Sequence, residues 1–340
     1  MSNLTISICI PVYKGSALIK DALDSIFKQN FNNFEIIIGE DTPPRMVNEI
    51  LKTKKIIDSF NDKRIRYYKN KKNVGSALNI KNIASKSSKD ILFFLAQDDI
   101  LSIKALDIVH DVFYENPEVG VMARPYFWFF DDINAPVRAV LPFNENKNTI
   151  LSIFDGEKEF MKIFETVGQI SGLAYRKIWL DVPFHHECFP GHIYPFAGIL
   201  KKHKCMFINE YIVAIGIADS QARNISDIYD MSPTESWLRM YKSVFSGARY
   251  KQQMVWGIKH ICTNYVGLLQ LKNYANDGVL FREIKIMLKE YPKNYFSFKF
   301  WFFALGTILI PKFILSKLVD WYKLNIIGRV KLKSKINFRK

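Results

Sequence analysis

Three acidic residues fall where apolar runs end: Asp41 closes FEIIIGED, and the pair Asp98-Asp99 closes DILFFLAQDD. Two adjacent carboxylates at the edge of a buried segment are costly in isolation, and a hard divalent cation relieves that cost. Mg²⁺ or Mn²⁺ takes one or two carboxylates together with phosphate oxygens, so the pair suits a metal and a diphosphate. A solvated strand end in which Asp99 caps a following helix fits the same residues. Asp41 can accept a hydrogen bond from a ring N–H or a ribose hydroxyl, or can serve the turn that begins at Pro43-Pro44. Asn73 and Gly75 open a helical pattern just after Arg64, Arg66, Lys69, Lys71 and Lys72. Exposed amides at a helix start, with cations nearby, suit an anionic ligand.

The elements that must position these residues read as alternating strands and helices. ISICIPV (6–12), FEIIIGED (34–41), IRYYKN (65–70) and DILFFLAQDD (90–99) have the apolar runs of buried strands, separated by helical patterns at 16–29, 46–59, 75–87 and 103–115. Strands apolar on both faces and separated by helices specify a parallel sheet covered on both sides. Ligands of such sheets bind beyond the carboxyl ends of the strands, which places Pro11-Val12-Tyr13, Glu40-Asp41 and Gln97-Asp98-Asp99 on one edge. An aromatic segment at 126–132 and a loop rich in Asn and Pro follow, then a helix at 156–165 and a new unit at 170–181. A helix at 193–203 precedes a strand at 204–210, a loop at 218–233 carries Arg223, and beyond 234 the pattern is helical.

A chain of 340 residues, 49% of them hydrophobic, can bury a large core without staples. Its 14% aromatic content excludes disorder, and its scattered cysteines, Cys9, Cys188, Cys205 and Cys262, read as reduced thiols and not a disulfide scaffold. The net charge of +15 is uneven: residues 291–340 hold 11 Lys and Arg against one acid, Asp320, so +10 of the excess lies there. Segment 297–325 mixes apolar stretches with Lys299, Lys312, Lys317 and Lys323 and with Trp301, Trp321 and Tyr322, the composition of an interfacial helix pair. With the basic run 329–340 it implies reversible attachment to an anionic membrane surface; a buried helical hairpin with a basic tail is the other reading. The uncharged stretch 300–311 falls short of the roughly 20 residues a crossing helix needs, and LTISICIPVY reads as a strand and not a secretory signal. Nucleic acid is not expected, because the positive charges are interleaved with aliphatic runs.

ISICIPVYKGSALIKDALDSIFKQNFNNFEIIIGEDT and RIRYYKNKKNVGSALNIKNIASKSSKDILFFLAQDDIL together resemble the family 2 glycosyltransferases, with weaker similarity to about residue 215. The resemblance implies an α/β GT-A fold: a Rossmann-like, mostly parallel sheet flanked by helices, with a helical C-terminal appendage. Residues 1–220 would form the nucleotide-sugar-binding catalytic domain, and 221–340 a basic, amphipathic, membrane-associating region. Carried over by position, Pro11, Tyr13 and Asp41 line a nucleoside pocket, Asn73 and Gly75 flank the nucleotide, Asp98 lies by the ribose and diphosphate, and Asp99 binds Mn²⁺ or Mg²⁺. The sequence departs from the family at Thr42-Pro43, often Gly-Ser, and at Ala96-Gln97-Asp98-Asp99, commonly Asp-x-Asp-Asp. One carboxylate fewer implies a metal held partly by the diphosphate itself.

The family's catalytic base falls on Gly191-His192, where no carboxylate stands. A neutral imidazole with a pKa of about 6.5 can abstract the same proton, which makes His192 the first candidate and Glu187, His185 and His186 the fallbacks. Arg223 would neutralise the leaving group. The implied activity is inverting transfer of a sugar from a nucleoside-diphosphate-sugar to a hydroxyl of a lipid-linked glycan. Such an enzyme would serve bacterial surface polysaccharide synthesis (O-antigen or capsule, lipopolysaccharide) from a peripheral position on the inner face of the cell membrane. The alternatives are a non-catalytic nucleotide-sugar-binding or scaffold protein on the same fold, and a nucleotidyltransferase.

Overall fold

Ile6, Ile8 and Ile10 pack with one set of helices and Cys9 with the other, so the first strand is buried on both faces. The same holds for Ile36 and Ile38 against Ile37, and for Phe93 against Leu92 and Phe94. A computed structural model describes residues 4–186, 190–217, 232–275, 277–322 and 338. It begins β1 (Ile6–Val12), α1 (Ile19–Phe27), β2 (Phe34–Glu40), α2 (Val47–Ser59), β3 (Ile65–Lys69), α3 (Ser76–Lys86), β4 (Ile91–Phe94), β5 (Ile100–Leu101), α4 (Ala105–Glu115) and β6 (Val119–Ala123). There follow β7 (Tyr126–Phe129), β8 (Arg138–Val140), β9 (Thr149–Leu151), α5 (Glu157–Val167), β10 (Ala174–Arg176), α6 (Ile193–Leu200), β11 (Lys204–Phe207) and β12 (Val213–Gly216).

The main sheet has eight strands in the order β3-β2-β1-β4-β10-β6-β11-β9. β3, β2, β1 and β4 are mutually parallel, as are β6 and β11, while β10 enters antiparallel between β4 and β6. The expected mixed α/β architecture with a mostly parallel sheet is thus present. A second sheet, β5-β12-β7-β8, was not anticipated. The aromatic segment supplies its β7, with Tyr126, Phe127 and Phe129 buried and Trp128 half-buried. Its strands run to four residues at most, too short for a hydrophobic period to register.

β4 is shorter than expected. It stops at Phe94 because the chain turns, the Asp99 amide donating to the Ala96 carbonyl (3.2 Å), so Asp98 and Asp99 sit on a turn and not within a strand.

The C-terminal helices are α7 (Pro233–Val244), α8 (Lys251–Cys262), α9 (Val266–Tyr274), α10 (Asp277–Glu290), α11 (Phe298–Leu309) and α12 (Lys312–Tyr322). They do not share one core. Trp237, Tyr241 and Val244 of α7 and Ile261 and Cys262 of α8 belong to the cluster of Phe160, Phe164 and Phe196, beneath the main sheet. A separate cluster begins at Tyr265 and joins Leu268, Leu280, Ile284, Met287 and Phe300. By packing, the helices up to 262 extend the sheet's own core, because α7 covers the aromatic face that α5 and α6 leave open.

Candidate active site

β2 delivers Asp41 to the sheet's carboxyl edge, where its amide donates to the Val12 carbonyl (2.8 Å). The side chain is buried and fully used. Oδ1 accepts from Asn70 Nδ2 (2.9 Å) and the Val74 amide (2.9 Å), and Oδ2 from the Gly75 amide (2.9 Å) and Asn73 Nδ2 (3.1 Å). Gly75 precedes α3 with φ +83°, a left-handed conformation that glycine adopts at no steric cost. Burial raises the Asp41 carboxyl above its usual range, opposed by the Val74 amide, Asn70 and the Gly75 amide. Asp41, Asn73 and Gly75 are therefore brought together, with Asp41 holding the start of α3. Of the cations expected beside them, Arg64 pairs with Asp62 (2.8 Å) and Arg66 with Glu35 (2.9 Å), which leaves Lys69, Lys71 and Lys72 as the exposed ones.

β1 delivers Pro11 and Tyr13, both half-buried. Tyr13 is gripped through its backbone: its amide donates to Gln97 Oε1 (3.0 Å), and its carbonyl accepts from Gln97 Nε2 (2.8 Å). The Lys14 amide donates to Thr42 Oγ1 (2.7 Å), and Lys14 has φ +52°.

The turn after β4 divides its two acids. Asp99 is 1% exposed, with Oδ1 accepting from the Gly216 amide (3.0 Å) and Oδ2 from the Ser171 hydroxyl. Burial and neighbouring Asp98 push its carboxyl well up, against the Ser171 and Gly216 hydrogen bonds and the Arg124 charge. Asp98 is the half-exposed member. Ser171 Oγ also accepts from the Ala96 amide (2.8 Å), so one hydroxyl ties both ends of the turn. Ser171 is held in turn by Arg124, a wholly buried guanidinium that donates to the carbonyls of Thr166, Gln169 and Ser171. Burial lowers the Arg124 pKa to about 10. β12 crosses so closely that a Cβ at Gly216 would lie 2.3 Å from the Asp98 carbonyl oxygen.

For a divalent cation, the donor set is one half-exposed carboxylate, Asp98, backed by Asp99, whose oxygens already accept hydrogen bonds. Among the described residues no three His, Cys, Asp or Glu side chains gather as a metal site. The set fits an ion that keeps most of its ligands from water and from a bound diphosphate.

His192 stands at the start of α6, 2% exposed, with Nε2 2.7 Å from the Val167 carbonyl. Nε2 is therefore the protonated nitrogen, and Nδ1 is buried with no hydrogen-bond partner among the described residues. Burial pushes its pKa down to about 4. The ring is neutral at pH 7 and enclosed. His185 is half-buried with its ring against Tyr194 (4.8 Å between centroids), and exposed His186 has Nδ1 3.3 Å from Lys81 Nζ on α3. Glu187 and Arg223 lie outside the described residues, as does Cys188. The residues to which the sequence assigned no role are Gln97, Thr42, Ser171, Arg124 and Gly216. Arg124 alone left a signal, a charge closing the apolar run VGVMA.

Residues 7–170 match the sequence model of Glycosyl transferase family 2. An uncharacterised glycosyltransferase of Rickettsia conorii is 27% identical over 158 residues, 44% of this chain and 25% of that protein. One of Rickettsia typhi is 36% identical over 97 residues, 28% of this chain and 27% of that protein. The chain thus spans about a quarter of the length of these curated relatives. Among solved structures, S. aureus TarS 1-349 in complex with UDP-GlcNAc aligns with a TM-score of 0.62 at 11% identity, over 94% of this chain and 92% of that one. The mannosyltransferase PcManGT from Pyrobaculum calidifontis, in complex with GDP-Man and Mn²⁺, aligns with a TM-score of 0.52 at 11% identity, over 91% and 87%. These likenesses establish the GT-A fold.

Proposed function

We propose that this chain, a member of glycosyl transferase family 2 through residues 7–170, moves a sugar from a nucleoside-diphosphate-sugar to a hydroxyl of an acceptor glycan. The observation that carries the reading is the convergence on one sheet edge of three adjacent strand ends: β2 with Asp41 tied to the start of α3, β1 with Tyr13, and β4 with the half-exposed Asp98. Solved GT-A neighbours hold UDP-GlcNAc or GDP-Man with Mn²⁺, which supports a nucleotide-sugar donor here.

In this reading Pro11 and Tyr13 form the wall against the nucleoside, and Asp41 fixes the Asn73-to-Gly75 loop that flanks it. Asp98 faces the ribose and diphosphate, Asp99 anchors the turn from behind, and Lys69, Lys71 and Lys72 raise the local concentration of the anionic donor. Mn²⁺ or Mg²⁺ bound by Asp98 and the diphosphate would neutralise charge on the leaving group. The acceptor hydroxyl must lose a proton as it attacks, and inversion follows from a single displacement. His192 is our first candidate for that proton through its unpartnered Nδ1, with Glu187 as the carboxylate alternative and Arg223 as the cation for the leaving diphosphate. A His192→Ala enzyme with undiminished turnover removes it from the mechanism.

We place the acceptor on a lipid carrier in bacterial surface polysaccharide synthesis, O-antigen or capsule, and the protein peripherally on the inner membrane face. The support lies in α11 and α12. α11 buries Phe300, Ala304 and Thr307 and leaves Phe298, Phe302, Leu305 and Leu309 exposed on the opposite stripe. α12 exposes Phe313, Ile314, Leu318 and Trp321. Lys299, Lys312 and Lys317 lie among them, the pairing of apolar body and cationic flank that suits an anionic bilayer surface. No helix among the described residues is long and apolar enough to cross a membrane.

A non-catalytic nucleotide-sugar binder is the second reading, favoured by the engaged Asp99 and by the absence of a carboxylate at 191–192. Thermal shifts over a panel of nucleoside-diphosphate-sugars, with and without Mn²⁺, test the shared part of both readings, since a bound donor raises the melting temperature. No shift with any donor would remove both.

A further inference from the structure

At the mouth of the cleft β1 loses its neighbour. β1 and β4 pair through Cys9 and Phe94, and the last bond between them runs from the Leu95 amide to the Cys9 carbonyl (3.1 Å). β4 then turns at Ala96 while β1 runs on to Tyr13. The Val12 carbonyl finds the Asp41 amide just past the end of β2, but the amide and carbonyl of Tyr13 face the gap that β4 has left. Unpaired where water is excluded, each of these two groups would keep its desolvation cost with no hydrogen bond to offset it.

Gln97 closes that gap with its side chain, offering Oε1 to the Tyr13 amide and Nε2 to the Tyr13 carbonyl, while itself only 5% exposed. A side-chain amide thus supplies the rung that the main chain cannot. Glutamine is suited to this because it presents one donor and one acceptor side by side; a carboxylate would meet the Tyr13 carbonyl oxygen with a second oxygen. The fit is close, since a Cβ at Gly15 would lie 3.0 Å from Gln97 Oε1 and 2.7 Å from Val12 Cγ1. From the other side Thr42 takes the Lys14 amide and holds Lys14 in its left-handed conformation, which a non-glycine residue keeps only when its surroundings impose it. Gln97 directly precedes Asp98. The same residue therefore touches the strand end that would face a nucleoside and adjoins the carboxylate that would face a diphosphate.

We propose that Gln97 is a positioning residue for donor binding: its amide locks Tyr13 to the acidic turn, holding the nucleoside wall and the Asp98 carboxylate at a fixed spacing before any ligand arrives. This rests on reading the cleft as a nucleoside-diphosphate-sugar site. In its absence the Tyr13-Lys14 segment must be ordered by the donor itself, so the loss appears as weaker donor binding and not as slower chemistry.

The test compares full-length wild type, Gln97→Ala and Gln97→Glu. Calorimetry with UDP and GDP, the donor KM and kcat, and hydrogen exchange at the Tyr13 amide are all measured. Losing one or two such bonds should raise the nucleoside-diphosphate Kd and the donor KM about tenfold in each variant, with kcat at saturating donor within about threefold. In Gln97→Ala the Tyr13 amide should exchange at least about tenfold faster, while amides of β1 before Cys9 stay protected. If Gln97→Ala fails to fold, Gln97→Glu, of nearly the same volume, decides. Donor Kd and KM within twofold of wild type, or a fall in kcat with KM unchanged, would overturn the proposal, as would a Tyr13 amide that stays protected in Gln97→Ala. A wild-type protein that binds neither nucleotide overturns the functional reading instead, and the exchange measurement still judges the clamp.

Discussion

The burial of His192 makes a quantitative claim about acid stability. Its pKa is about 4 in the fold against 6.5 for a free imidazole, so between these values the unfolded chain binds a proton that the folded chain refuses. A group with a depressed cationic pKa favours the folded state above the unfolded pKa, and that advantage drains away as pH falls through 6.5 toward 4. From pH 7 to pH 5 this one ring should remove about 2 kcal/mol of unfolding free energy, the penalty approaching its limit only near pH 4. His192→Gln isolates the effect, because a glutamine Nε2 can still donate to the Val167 carbonyl while carrying no titratable proton. Urea unfolding of both proteins at pH 7 and pH 5 should show the variant losing about 2 kcal/mol less than wild type over that interval. Equal losses would refute the buried, neutral ring. The same measurement bears on catalysis: if His192 does accept the acceptor's proton, the acid limb of kcat/KM should break near 4, and a break near 6.5 would assign the proton to a more exposed group.

Gly216→Ala would set a methyl 2.3 Å from the Asp98 carbonyl oxygen; we expect about 1–3 kcal/mol of destabilisation and loss of most donor turnover, and a variant with wild-type melting and kcat would contradict the packing of β12 on the acidic turn. Arg124→Met leaves the carbonyls of Thr166, Gln169 and Ser171 without their buried donor, so chemical denaturation should register a loss of about 3 kcal/mol or more; a loss below about 1 kcal/mol would show that the segment holds without it. Flotation with vesicles containing anionic phospholipid should carry the wild-type chain upward and release it in high salt, and Phe302→Glu combined with Leu309→Glu should abolish the association. Equal flotation of that double variant would remove the α11 stripe from the membrane proposal.

How much of this was legible beforehand depended on the length scale of the signal. The parallel strands β1 to β4 and their helices announce themselves by apolar runs longer than noise, and the edge carrying Asp41 and Asp98 follows from the rule that ligands sit beyond strand carboxyl ends. β10 did not announce itself: its three residues enter antiparallel between β4 and β6, a choice made by long-range packing. Asp99 shows the same limit at the site. Residue type and position equate it with Asp98, and only the approach of Ser171 and Gly216, 72 and 117 residues away in sequence, turns its oxygens inward. Gln97 read as the variable position of an acidic motif, because a hydrogen bond to the backbone of Tyr13, 84 residues distant, leaves no trace in local spacing. His192 was readable as a titratable group at a helix start that either takes a proton or packs, and its 2% exposure is set by long-range packing that residue type does not report.

The central claim is that the cleft at the ends of β1, β2 and β4 turns over a nucleoside-diphosphate-sugar. Its most direct test is release of nucleoside diphosphate from a panel of such donors with Mn²⁺, for wild type and for Asp98→Asn, whose carboxamide keeps the shape and removes the charge. The account predicts metal-dependent release by wild type with at least one donor and a drop of at least about 100-fold in Asp98→Asn. Release that the substitution leaves unchanged, or donor binding with no release from any member of the panel, would contradict it.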